Sequence, residues 1–129
     1  MTPELMYLIW SVALTLVLAV IAVSGATLQV GLPTLAGNRE GLPEFTGWTG
    51  RAQRAHRNML ESLVLFAILV LAAKAANVSN AMTVLGAQLF FWGRVAHGVI
   101  YLIGIPWLRT AAWAVSILGL LLLFLQLVG

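Results

Sequence analysis

Cysteine is absent from the 129 residues, and charge is scarce, with only 9% of positions being Asp, Glu, Lys or Arg. The first absence excludes disulfides, thiolate-bound metal and a nucleophilic thiol of the protein's own. Any thiol chemistry must therefore use a thiol carried on a substrate, and no metal site is expected. The second absence excludes an ordinary soluble domain, which needs far more charge to cover its surface. A net charge of +3 with arginines beside apolar runs also argues against a nucleic-acid partner, because no soluble basic face is present.

What remains is apolar residue, at 61% of the chain. Four stretches are each long enough to cross a hydrocarbon core of about 30 Å. They place helices at about 3–29, 50–74, 81–103 and 107–127, in one transmembrane domain covering 1–129. The first run starts at Leu5 without a basic segment before it and continues to about Val30. That length reads as a first span and not as a cleavable signal peptide. Between Gly31 and Gly50 the density of Gly and Pro marks a loop, and Asn77-Val78-Ser79-Asn80 marks a turn. Thr49 is a candidate cap for the second span, and Gly104 with Pro106 separates the third from the fourth.

Four hairpinned spans put the first and third loops on one side. Arg39, Arg51, Arg54, Arg57 and Arg109 lie on that side, whereas Lys74 and both termini lie on the other. The positive-inside bias then makes the arginine-bearing loops cytoplasmic and puts the termini outside, which for a bacterial inner membrane is the periplasm.

The second span opens on an unusually polar third. At 100° per residue, Arg51, Arg54, Arg57, Asn58 and Glu61 share an arc of about 120°, while His56 points about 200° away from Arg54. In the third span Arg94, His97 and Tyr101 share a stripe about 60° wide. Both stripes fall on the cytoplasmic halves. An ionisable group facing lipid costs several kcal/mol, so these stripes face protein, water or ligand. One reading is structural: Arg54 and Glu61 form a buried ion pair, and Asn58 bridges helices. The other is chemical. Arginine forks bind carboxylates, Glu61 accepts from an ammonium, and Asn58 does both. A guanidinium also favours a thiolate, and Tyr101 can donate a hydroxyl to it.

The run RAQRAHRNMLESLVLF, Arg51 to Phe66, resembles the second-helix signature of the MAPEG family, the membrane-associated proteins in eicosanoid and glutathione metabolism. The run GRVAHGVIYL, Gly93 to Leu102, is similar to the third-helix segment of that family in its prostaglandin E synthase form. The loop LPTLAGNREGLPEFTGW looks like that of the small bacterial members. The resemblance implies an all-α four-helix membrane bundle assembled as a homotrimer. It implies glutathione as co-substrate, bound between protomers on the cytoplasmic side, and a lipophilic small molecule as acceptor.

Carried onto this sequence, the resemblance makes Arg54, Asn58 and Glu61 glutathione contacts, with Arg51, His56, Arg94 and His97 in the same polar set. Arg109, followed by Thr110, resembles the arginine–serine pair near the thiol, so Arg109 and Tyr101 become the catalytic candidates. Three positions depart from the pattern. Ser62 replaces a tyrosine found in the leukotriene C synthase branch. The interval from Tyr101 to Arg109 differs by one residue from the prostaglandin synthase form. No basic residue stands at Gln29-Val30-Gly31. The expected activity is a glutathione-dependent transferase or peroxidase of lipophilic electrophiles or lipid hydroperoxides. The same fold also serves non-catalytic lipid-binding or scaffold proteins, so that alternative stands beside it. A transporter or channel is disfavoured, because no continuous polar route crosses the spans.

Overall fold

A computed structural model describes residues 1–129 and contains only helices. The five are α1 (Pro3–Val30), α2 (Leu32–Ala36), α3 (Gly47–Ala75), α4 (Ala81–Ile103) and α5 (Pro106–Val128). Their ends follow local chemistry. Thr2 caps α1, its hydroxyl accepting from the Leu5 amide at 3.3 Å, and Pro3 occupies the first turn, where no amide is needed. Asn80 and Thr83 form a reciprocal capping box on α4. Gly104 ends α4 in the left-handed region, with φ 93°, which an L side chain adopts only at a cost.

Three expectations need correction. The loop after α1 contains the short helix α2, which turns the chain back over α1. Helix α3 starts at Gly47 and its cap position is Thr46. Thr49 is instead buried inside the first turns, its hydroxyl without a partner. Finally, α1, α3 and α5 are long and apolar enough to cross a membrane, but α4 is not. Helix α4 has 23 residues, enough for length, yet Gln88, Arg94 and His97 lower its hydropathy. Neighbouring helices compensate: Arg94 is 1% exposed and His97 2%.

The core runs along the inner faces of four helices. Leu18, Ala55, Met59, Phe66, Val70, Ala87, Phe90, Leu120 and Leu123 are buried together, and Phe66 stacks on Phe90 with ring centroids 4.1 Å apart. Many large side chains face outward instead, among them Leu16, Val20, Ile68, Leu121 and Phe124. Water would penalise so much exposed apolar surface, whereas acyl chains do not. The protein is thus an integral membrane protein by composition and by surface.

Packing within such a surface cannot rely on hydrophobic burial, because lipid is as apolar as leucine. Small residues bring α4 and α5 together instead. A Cβ on Gly86 would sit 2.8 Å from the Gly119 carbonyl oxygen, and one on Gly93 would sit 2.9 Å from the Ser116 amide nitrogen. Thr49 apart, the buried helix hydroxyls are satisfied locally, as the absence of water requires. Ser11 donates to Tyr7 O, Thr15 to Ser11 O and Ser116 to Trp113 O, at 2.7, 2.8 and 2.7 Å. These side chains are accounted for and are not candidates for chemistry.

Candidate functional site

The polar residues of α3 and α4 do not form one cluster. They divide into an inward group and an outward group, and the division follows from helix rotation. Asn58 is half-buried on the α3 face that meets α4, next to the wholly buried Met59 and one turn from the wholly buried Ala55. Opposite it lies Arg94, whose Nη2 donates to Asn58 Oδ1 at 2.8 Å. That is the only partner the guanidinium has: Nε and Nη1 are buried and unpaired. One turn further along α4, His97 is buried with Nδ1 also unpartnered. A buried cation held by a single neutral amide is expensive. Such an arrangement calls for water or an anion.

The same stripe continues to the end of α4. His97 and Tyr101 meet edge to face at 5.4 Å. Arg109, the fourth residue of α5, lies back over Tyr101 with its guanidinium carbon 4.3 Å from the ring centroid. The short turn through Gly104 and Pro106 makes this possible, because it returns α5 along α4 within three residues. The one-residue difference in the interval between Tyr101 and Arg109 therefore does not take Arg109 away from Tyr101. Thr110 next to it is exposed and donates to Pro106 O at 3.2 Å.

The outward group is Arg54 and Glu61, both exposed on α3. Their exposure rules out a sealed Arg54–Glu61 pair inside one chain, the structural alternative raised above. Arg54 lines a 300 Å³ cavity with Gln53, Arg57 and Glu44 under the loop before α3.

Two other expected site residues are engaged elsewhere. Arg51 donates through Nε to Leu102 O at 3.0 Å, so it closes the C-terminal turn of α4 where carbonyls lack helical partners. His56 faces α1, away from Arg54 as its 200° offset places it, and lines an adjoining 380 Å³ cavity with Ala22, Leu35, Arg39 and Phe45. The inward group therefore brings together Asn58, Arg94, His97, Tyr101 and Arg109, and leaves Arg51 and His56 out. Sequence reading missed the part taken by residues 39–45 in forming both cavities. Their Gly and Pro content signalled only a connector. The apolar Leu42 and Phe45 within it were the available hint of packing.

The model of the MAPEG family matches residues 5–129, essentially the whole chain. The chain belongs to the MAPEG family. No curated protein and no solved structure gives a significant match. MAPEG proteins are helical membrane proteins of glutathione-related and lipid metabolism, transferases, isomerases and peroxidases among them. In this MAPEG chain the inward group is a cationic cluster at the end of the bundle that carries the loops at 37–46 and 104–105.

Proposed function

We propose that this protein is a glutathione-dependent transferase or peroxidase of lipid-soluble electrophiles, with the site built on Asn58, Arg94, His97, Tyr101 and Arg109. One observation carries the reading: Arg94 is buried, charged and short of acceptors, with Nε and Nη1 unpaired. The residues fit an anionic tripeptide, because a carboxylate offers two acceptor oxygens where the guanidinium has two spare donors. When bound, glutathione supplies a thiol that acts as the nucleophile towards an electrophilic carbon or a peroxide oxygen.

Each side chain then has a task. Arg94 and Asn58 hold a carboxylate, and the Asn58 amide nitrogen remains free to donate. Arg109 provides a fixed positive charge that favours an anionic sulfur over a neutral one. Tyr101 holds Arg109 over its ring and offers its hydroxyl as a donor to the same anion. Arg54 and Glu61 meet the remaining charges of the peptide from the outward face of α3. Their exposure motivates the second part of the proposal. A carboxylate left at lipid-facing depth costs several kcal/mol. A neighbouring copy covering that face removes the cost and closes the site, as in a homotrimer of four-span bundles with α4 carried across by its neighbours. The arginine-bearing loops would lie in the cytoplasm and the termini in the periplasm.

The test is calorimetry with glutathione followed by turnover with chlorodinitrobenzene and a lipid hydroperoxide, on detergent-purified protein of known oligomeric state. Heat and turnover with glutathione are expected. No heat with glutathione but heat with a fatty acid would transfer the protein to the non-catalytic lipid-binding class, for which the 380 Å³ cavity beside His56 offers mostly apolar walls. A further expected result concerns Asn58→Asp. The new carboxylate takes the Arg94 guanidinium for itself, so glutathione affinity falls about tenfold, about 1.4 kcal/mol. The thermal midpoint does not fall, because the buried cation gains a counter-charge. Unchanged affinity in Asn58→Asp would remove Arg94 as the anion-binding group.

A further inference from the structure

At the opposite end of the bundle lies a buried carboxylate with no part in the site above. Glu4, in the first turn of α1, is 2% exposed. Its Oε2 accepts from Thr83 Oγ1 at 3.4 Å, a long contact, and that hydroxyl also donates to Asn80 O at 2.9 Å. Its Oε1 is buried without any partner. A favourable interaction with the α1 dipole explains a glutamate in a first turn, but not its burial. A carboxylate removed from water needs donors or a cation beside it.

Glu4 opens onto a 130 Å³ cavity shared with Thr2, Lys74, Asn77 and Ser79. The cavity has a polarity along its depth. Glu4 lies at the buried end, whereas Lys74, on the last turn of α3, is exposed. The N-termini of α1 and α4 both lie at this end, but their first-turn amides are taken by the Thr2 and Asn80 caps, so Lys74 is the cationic group at the rim. Ends of membrane-crossing helices stand at the depth of lipid headgroups. A ligand for this place has a cationic donor that reaches inward, an anion left at the rim, and little bulk between them. The volume holds about four water-sized groups at roughly 30 Å³ each.

We propose that this cavity binds the headgroup of an ethanolamine phospholipid, its primary ammonium on Glu4 and its phosphate at Lys74. The ammonium brings three N–H donors, of which Oε1 requires one. Two methylenes separate it from the phosphate, which suits the room available. A choline headgroup has no N–H to donate and a bulkier cation. A glycerol headgroup has no charge to match Glu4.

The experiment is native mass spectrometry of the purified protein with phosphatidylethanolamine, phosphatidylcholine and phosphatidylglycerol of identical acyl chains. The ethanolamine lipid is expected to bind about tenfold more tightly than the choline lipid, as loss of a charge-assisted hydrogen bond implies. Glu4→Gln removes that preference and leaves phosphatidylglycerol unaffected. Lys74→Gln weakens all three lipids and keeps their order. Thermal unfolding shows whether Glu4→Gln is folded. Should it not be, Ser79→Trp fills the mouth from an exposed turn position and abolishes ethanolamine-lipid retention with Glu4 intact. Equal retention of ethanolamine and choline lipids by the parent protein overturns the proposal. So does a preference that survives in folded Glu4→Gln or in Ser79→Trp. Displacement by soluble phosphoethanolamine at the lipid's own concentration would move the source to the aqueous phase and equally overturn it.

Discussion

Replacing Arg109 by alanine is expected to lower glutathione-dependent turnover by about 100-fold, the usual cost of removing one preorganised charge from a reacting centre. Folding should be unaffected, because Arg109 is only partly buried at the start of α5 and its recorded partner is the face of Tyr101. The loss should appear in kcat and in kcat/KM together, since a charge that favours the anionic sulfur acts on the reacting state more than on binding. Tyr101→Phe separates the two contributions. The phenylalanine ring still carries Arg109, so only the hydroxyl is lost. Its effect should be smaller than that of Arg109→Ala. Steady-state kinetics of the parent and both variants decide this. Equal rates for the parent and Arg109→Ala would remove Arg109 from the chemistry and shift weight to the non-catalytic reading.

Gly119→Leu is expected to abolish the folded protein or to lower its stability by about 3 kcal/mol, since backbone stands in the way of the new side chain. A Cβ at Gly119 runs into the Gly86 carbonyl oxygen and lies 2.7 Å from the Phe90 amide nitrogen, and neither atom is the flexible end of a side chain. The α4–α5 contact would have to open, and it holds Ser116 against Gly93 one turn away as well as carrying Arg109 to Tyr101. By contrast, Leu118→Ala on the exposed face of the same helix should cost little, because lipid replaces whatever contact is lost. Thermal unfolding in detergent compares the two. A Gly119→Leu protein that melts like the parent would show that α4 and α5 are not pinned by their small residues.

The sequence by itself determined the class of this protein. A chain 61% apolar with so few charges has no soluble solution, and helices are what a single chain of this pattern can form in lipid. It also determined the membership of the polar stripes, because a period of 3.6 residues fixes which side chains share a helix face whatever surrounds them. The opposite direction of His56 followed from the same rotation. Periodicity carries no information on what lies across from a face, and there the tertiary structure decided. Arg51 and Arg54 share a stripe, yet Arg51 closes the last turn of α4 while Arg54 stays exposed. Nothing in its place in the first turn of α1 marks Glu4 for burial, which contact with Thr83 of α4 and the end of α3 imposes. Arg94 and Arg109 differ for the same reason: one guanidinium is buried where α4 meets Asn58 of α3, and a single turn at Gly104 lays the other on a tyrosine ring. Burial and partnership depend on which helices pack together, and the close approach at Gly86 and Gly119 sets that for α4 and α5 through space that only the folded backbone defines.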